Sequence, residues 1–283
     1  MHISFFLYLI VIIYHKIGIL YYMISLYYKS FLWYNIHMIS NVKEIAEIIK
    51  NSDNIVFFGG AGLSTESGIP DFRSVDGLYN QKYKYPPETI ISHSFFMENT
   101  EEFYRFYKDK CLTPMLKAEP NTAHLALAEL ERMGKLKAIV TQNIDDLHHR
   151  AGSKTIYELH GTSFKNYCME CGKNFSVEEI LKQDGVPHCS CGGIIKPDVV
   201  LYEESLDQNT IMKSIEAISN ADVLIIAGTT LVVQPAASFI NYYNGNKLIL
   251  INLSEVPNEN KIDYVLHDKV GEVFKEIMQI IKE

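Results

Sequence analysis

Short apolar runs alternate with amphipathic stretches along most of this 283-residue chain. Ile55–Phe58 is an unbroken apolar run, the signature of a strand buried on both faces of a parallel sheet. Ala138–Thr141, Ile156–Leu159, Val223–Ala227 and Leu248–Asn252 are further short, mainly apolar strand candidates. Between these runs the apolar period lengthens to that of a helix. Val42–Lys50 carries Val42, Ile45, Ile48 and Ile49 on one face, and Thr122–Met133, Ile211–Ser219 and Val270–Ile281 are further helical stretches. Strands alternating with helices predict an α/β fold on a doubly wound parallel sheet, with ligands at the carboxyl ends of its strands. Residues 77–120 break the alternation and are rich in aromatics, which predicts a helical insertion.

Residues 1–37 do not share this pattern. They are dominated by Ile, Leu, Phe and Tyr, and the runs Ile3–Tyr14 and Ile17–Tyr28 are each short for a membrane span. Joined, they would bring Lys16 near mid-bilayer, which is costly. No small-residue cleavage site follows, so a signal peptide fits poorly. The reading adopted is a start codon set too early, with Met38 opening the domain at residues 38–283. A membrane anchor is the alternative for this N-terminal extension.

Charge narrows the function. A net charge of −8 argues against a nucleic-acid partner held by phosphate contacts. Cysteine usage narrows the compartment. There are five cysteines, an odd number, and four of them cluster while Cys111 stands apart. That predicts metal ligation in a reducing, cytoplasmic setting rather than a disulfide framework.

Each polar motif follows a strand candidate. After Phe58 come Gly59, Gly60 and Gly62, where glycine lets a ligand approach the main chain and N–H groups cradle a phosphate. Thr65 stands where the dinucleotide fingerprint G-x-G-x-x-G places its third glycine. The segment closes on Asp71, Phe72 and Arg73, polar groups that a mere strand–helix turn does not need. After Val140 comes Thr141-Gln142-Asn143-Ile144-Asp145-Asp146-Leu147-His148-His149, with donors and acceptors suited to ribose hydroxyls and a carboxamide. The same residues also suit a helix cap, with His148 and His149 on the solvated side. His160, after Leu159, is a side chain able to accept a proton near neutral pH, although a lone histidine is more often structural. Gly228-Thr229-Thr230 and Asn252-Leu253 suit a second nucleotide contact, or are ordinary strand-end turns.

Cys168, Cys171, Cys189 and Cys191 form C-x2-C-x17-C-x-C. Two close thiolate pairs are what a tetrahedral structural zinc site requires, and four sulfurs leave no position for a reactive water. The metal would hold together a module of about residues 167–197, too small to build its own core.

Together, GAGLSTESGIPDFRS, TQNIDDLHHRAG, ELHGT, the four cysteines and GTTLVVQPAAS resemble the sirtuin family of NAD-dependent protein lysine deacylases, in the family's order and spacing from about Met38 to Ile281. The resemblance implies a Rossmann-like domain with a small inserted zinc-binding domain. NAD is then the co-substrate, one zinc is structural, and acetylated proteins or peptides are the partners. It implies that Ala61, Gly62, Thr65, Asp71, Phe72 and Arg73 line the phosphate and nicotinamide-ribose part of the site, half as cofactor loop and half as lid. Gln142, Asn143, Ile144 and Asp145 would hold the ribose and nicotinamide, with Asn143 counted among the catalytic residues. Gly228, Thr229, Thr230, Asn252, Leu253 and Val270 would take the adenosine half. His160 would be the general base, activating a ribose hydroxyl after the acyl oxygen has attacked C1′.

By the same resemblance, Val200, Leu201 and Tyr202 on one side and Leu231, Val232 and Val233 on the other would sandwich the peptide as an added strand. Where the family commonly has Phe-Gly-Glu, this chain has Tyr202-Glu203-Glu204, which puts a side chain where the peptide backbone should come close. Family members that prefer succinyl or malonyl groups carry a Tyr and an Arg in the loop that here reads Gly77-Leu78-Tyr79-Asn80-Gln81-Lys82. That arginine is missing, so a neutral acyl group is expected. An ADP-ribosyltransferase on the same NAD site, or a non-catalytic NAD-binding module, are the alternatives.

Overall fold

A computed structural model describes residues 41–72, 77–78 and 83–283. Ile45–Glu283 form one compact unit. Six parallel strands form the main sheet: β1 (Ile55–Gly59), β2 (Leu136–Thr141), β3 (Ile156–Glu158), β7 (Val223–Ala227), β8 (Leu248–Ile251) and β9 (Tyr264–Leu266). Their spatial order is β3-β2-β1-β7-β8-β9. All five residues of β1 and of β7 are buried, as runs without polar positions require when helices cover both faces. Each Val, Leu, Ile or Phe side chain among them contributes on the order of 1.5–3 kcal/mol. The order reverses between β1 and β7, and there the two strand ends open a crevice.

The helices follow their periods. A helix over residues 41–50 (α1) precedes β1 and buries Ile45, Ala46 and Ile49. The C-terminal helix α10 (Val270–Lys282) buries Val270, Val273, Phe274, Ile277, Met278 and Ile281, the stripe of one helical face. The insertion comprises α2 (Pro87–Ile90), α3 (His93–Glu98), α4 (Thr100–Phe106), a π-helical stretch over Tyr107–Leu112 and α5 (Thr113–Lys117). Next comes α6 (Thr122–Arg132), which packs on α10. Its cap residue Asn121 accepts from the amides of Ala123 and His124 at 3.0 and 3.3 Å, and its amide donates to the Leu63 carbonyl at 2.8 Å. One side chain thus starts a helix and tethers the glycine loop. The remaining helices are α7 (Leu147–Ala151), α8 (Val177–Leu181) and α9 (Gln208–Asn220).

A second sheet, antiparallel and ordered β5-β4-β6, comes from β4 (Gly161–Cys168), β5 (Asn174–Phe175) and β6 (Ile195–Val199). Its own apolar cluster is Cys168, Ile180, Cys189 and Ile195, with Phe175 against it, too little to hold a fold. The helical insertion supplies the rest. Phe96, Phe103, Tyr104 and Tyr107 pack in edge-on and stacked pairs, and the same cluster takes in Val177 and Leu201. The Tyr104 hydroxyl donates to the Ile195 carbonyl, and the Lys108 ammonium donates to the carbonyls of Gln183 and Gly185 at 2.6 and 2.9 Å. The aromatic core of the insertion is thus shared with the small sheet.

Three further departures matter. β9 was not anticipated, nor were the strands of the small sheet. His148, expected on the solvated face of α7, is buried, with its ring edge-on to Phe57 and to His124, while His149 is exposed as expected. The i, i+1 histidines point to opposite sides of a short helix, and only the sheet beneath decides which one is covered. No helix among the described residues is long and apolar enough to cross a membrane, and the anchor reading of residues 1–37 lies outside them.

Candidate active site

The site is built where β1 and β7 end side by side. The Gly60 amide donates to the Ala227 carbonyl at 3.2 Å, and the Gly62 amide to the Gly228 carbonyl at 2.8 Å. A Cβ on Gly62 would meet the Gly228 Cα at 2.9 Å, and one on Gly228, itself at φ +60°, would run into the Leu63 amide. Two glycine-bearing loops therefore pass backbone to backbone, which no side chain allows. The next turn carries Thr65, whose hydroxyl donates to the Gly62 carbonyl at 2.9 Å. Glu66 then accepts from the Gly271 amide, at 3.3 Å, in the first turn of α10.

The end of β2 adds the polar groups. The Gln142 amide continues the sheet by donating to the Gly59 carbonyl at 2.9 Å, and its side chain donates to the Thr229 hydroxyl at 3.2 Å. The Asn143 side-chain amide donates to Ser64 Oγ at 3.1 Å, and Ser64 Oγ donates in turn to Asp145 Oδ2 at 2.6 Å. Asp145 Oδ1 accepts from the Leu147 amide, at the start of α7, at 3.1 Å. Burial raises the Asp145 pKa above the usual carboxylate value, while the hydrogen bonds from Ser64 and Leu147 pull it back down.

His160 stands at the end of this row. Its Nδ1 is 2.9 Å from the Gln142 carbonyl oxygen. A carbonyl only accepts, so Nδ1 carries the hydrogen and Nε2 keeps its lone pair. Burial lowers the His160 pKa below its ordinary value, and the hydrogen bond to the Gln142 carbonyl opposes that shift. The ring is thus a neutral base with a chosen tautomer.

These groups line one cavity of about 830 Å³. Ala61, Gly62, Thr65, Asp71 and Phe72 form one wall; Gln142, Asn143, Ile144, Asp145 and His160 another. Gly228, Thr229, Thr230, Asn252, Leu253 and Val270 line it as well, and so do Val200, Leu201, Tyr202 and Val233. Leu231 and Val232 do not line it: Leu231 sits at φ +53° with its side chain in the core, and Val232 points to solvent. The expected three-residue edge is thus reduced to Val233, because the left-handed turn at Leu231 breaks the extended alternation. Arg73 and Tyr79–Lys82 lie outside the described residues.

Ser64 and Glu66 also line the cavity and were not singled out from sequence. Ser64 stood in the glycine segment with nothing to mark it, since its partners lie on another strand. Phe103, Tyr107, Cys111 and Met115 from the insertion add an apolar wall. Burial pushes the Cys111 thiol up to about 12, so it is an inert apolar group there.

The four clustered cysteines lie apart from this cavity. Their sulfurs all fall within 4.8 Å of one another, with Cys168–Cys191 at 3.5 Å and Cys171–Cys189 at 3.7 Å. A tetrahedron of Zn–S bonds near 2.3 Å has edges of about 3.8 Å, so the donor set fits zinc. A Cβ on Gly193 would stand 2.7 Å from the Cys168 sulfur, which makes room at that position part of the site.

Comparison with known proteins agrees with this geometry. Residues 60–235 match the model of the Sir2 family. An NAD-dependent protein deacetylase of Clostridium perfringens is 56% identical over 245 residues, covering 85% of this chain and 100% of its own length. One of Clostridium acetobutylicum is 54% identical over 245 residues, covering 85% and 99%. Among solved structures, a Sir2 complex with deacetylated p53 peptide and 3′-O-acetyl-ADP-ribose superimposes with a TM-score of 0.78 at 40% identity, covering 84% of this chain and 97% of that one. A Sir2 complex with p53 peptide and NAD⁺ gives a TM-score of 0.75 at 40% identity, covering 83% and 96%.

Proposed function

The chain belongs to the Sir2 family, and from that premise we propose that it is an NAD-dependent protein lysine deacetylase with His160 as general base. It transfers the acetyl group of an acetyl-lysine to NAD-derived ADP-ribose, releasing nicotinamide, O-acetyl-ADP-ribose and the free lysine. The observation that carries the reading is the His160–Gln142 hydrogen bond at 2.9 Å, which leaves Nε2 as a proton acceptor on a side chain that lines the same cavity as Gln142, Asn143 and Asp145.

NAD fits the residues present. At Gly62 and Gly228 the main chain lines the cavity with no side chain of its own, and the row from Gln142 to Asp145 offers amide and carboxylate groups for sugar hydroxyls and a carboxamide. When bound, it supplies an electrophilic ribose carbon. Ala61, Gly62, Thr65, Asp71, Phe72 and Arg73 hold the phosphate and nicotinamide-ribose part, and Arg73 is assigned on the motif alone. Asn143, oriented by Ser64, and Asp145 hold the nicotinamide half; Thr229, Thr230, Asn252, Leu253 and Val270 hold the adenosine half. His160 takes the proton of a ribose hydroxyl at Nε2. The apolar wall of Phe103, Tyr107 and Met115 excludes water from the reacting carbon and so suppresses plain hydrolysis.

The acetylated peptide lies along Val200–Tyr202 with Val233 opposite, and the acyl group is neutral. Cys168, Cys171, Cys189 and Cys191 bind a structural zinc. Residues 38–283 are the catalytic domain, with the zinc module at about 167–197 and the insertion at about 77–120, working in the cytoplasm. Mass spectrometry of products from NAD and an acetyl-lysine peptide tests the reading. O-acetyl-ADP-ribose with unmodified lysine is the expected result. ADP-ribose attached to protein with the acetyl group still in place would overturn it.

A further inference from the structure

Leu201-Tyr202-Glu203-Glu204 is a β-turn closed by the Glu204 amide, which donates to the Leu201 carbonyl at 3.0 Å. Glu203, at its third position, has φ +76°, and Tyr202 is not in the left-handed region. That combination defines a type II turn, whose third position calls for glycine because a Cβ there crowds the neighbouring carbonyl. A glutamate held in that shape needs a contact to hold it. Both its oxygens are engaged: one accepts from the Ser94 amide at 2.8 Å, the other from Ser94 Oγ at 3.1 Å. Ser94 lies in the first turn of α3.

The neighbouring bonds reach the same helix and the catalytic strand end. The Tyr202 amide donates to the Ile91 carbonyl at 3.1 Å, and the His93 amide to the Tyr202 carbonyl at 3.0 Å. Glu204 accepts from the Leu201 amide at 2.8 Å and from the buried Lys196 ammonium at 3.1 Å, and its other oxygen lies 2.9 Å from His93 Nδ1. The Val200 amide donates to the His160 carbonyl at 2.9 Å. The turn, α3 and His160 are thus one connected frame, and Val200, Leu201, Tyr202, Glu203, Glu204 and His160 all line the cavity.

We infer that Glu203 is a positioning residue for the acylated peptide: through Ser94 it holds the 201–204 turn, and with it the Val200–Tyr202 edge, in the shape an extended peptide meets. The identity of that peptide rests on the deacetylase reading. A free Glu203 carboxylate could instead attract basic residues flanking the acyl-lysine. With both oxygens on Ser94, a basic residue would have to compete for it. The plain alternative is that Ser94 merely compensates for an awkward backbone.

The two separate on substitution, because Glu203→Ala keeps the backbone problem and loses the clamp, whereas Glu203→Gly loses both. The test compares these with Glu203→Gln and Ser94→Ala in the zinc-loaded full chain. Peptide affinity is read by fluorescence anisotropy of a labelled acetyl-lysine peptide, which needs no turnover, and as the peptide KM. Loss of the clamp should weaken peptide binding by about three- to tenfold in both Glu203→Ala and Glu203→Gly, the size of one or two surface hydrogen bonds. The kcat and the KM for NAD should stay within about twofold, and Glu203→Gln should stay near wild type. A lower Tm in Glu203→Ala that Glu203→Gly restores, with peptide affinity unchanged in both, would overturn the inference. Should Glu203→Ala fail to fold, Glu203→Gly still decides. A wild type that binds the peptide but forms no O-acetyl-ADP-ribose would sink the deacetylase reading while the anisotropy series still judged Glu203. A wild type that does not bind the peptide overturns both.

Discussion

Ser64 Oγ donates to Asp145 Oδ2 at 2.6 Å, joining the glycine loop to the polar row after β2 across 81 positions of chain. Ser64 also accepts from Asn143 at 3.1 Å, so one hydroxyl orients two side chains at the centre of the site. Ser64→Ala leaves a buried amide and a buried carboxylate oxygen each short of a partner, at about 1–3 kcal/mol. Urea unfolding should report that loss, and steady-state kinetics a fall in kcat/KM for NAD. Unchanged kinetics would show that Asn143 and Asp145 are held by other means.

His160 should set the acid limb of the rate profile. Burial lowers its pKa from 6.5, so the neutral form that can accept a proton is present above the lowered value and is lost as pH falls through it. The kcat/KM for the peptide is therefore expected to rise with pH to an inflection below 6.5 and be level from about pH 7. His160→Ala should lose about 10²–10⁴-fold, with the same inflection gone. An inflection that survives in the variant belongs to another group.

The buried imidazoles of His124 and His148, with ring centroids 4.9 Å apart, predict acid sensitivity. Burial holds His124 down at about 4 and His148 well below its ordinary value. In the unfolded chain both titrate near 6.5, so below that pH the unfolded state binds more protons and stability drops. Their contribution is complete above about pH 6.5 and is lost towards pH 4; for His124 about 2 kcal/mol goes by pH 5. Urea unfolding at pH 7.5 and 5.0 measures this, and His124→Gln should narrow the difference between the two.

Removing one sulfur should release the metal and the small sheet together. Cys171→Ser is expected to lower bound zinc from about one per chain, by metal analysis, and to open residues 169–193 to limited proteolysis, because the apolar cluster there is only a handful of side chains. Cys111→Ser, by contrast, should keep its zinc. Its sulfur is buried in the insertion and is not one of the four that lie within 4.8 Å of one another.

Much of the framework was legible because burial on both faces leaves its own mark. β1, β7 and β8 are runs without polar positions, β2 departs from this only at the exposed Lys137 and the closing Thr141, and α10 shows its buried stripe in the spacing of Val270, Val273, Phe274 and Ile277. The glycines, the row from Gln142 to Asp145, His160 and the cysteine spacing could be picked out for the chemistry of their own side chains. β9 could not, since three residues in polar surroundings carry no period.

The chain alone therefore determined which residues have the chemistry and which segments must be inside, as composition and short-range spacing set both. The tertiary structure alone decided whom they face. It paired Ser64 with Asp145 and Glu203 with Ser94, turned His148 inward and His149 outward, and took Leu231 from the peptide edge into the core. Those outcomes depend on contacts between residues far apart in sequence, and a hydrogen bond across 81 positions leaves no trace in the spacing of either partner.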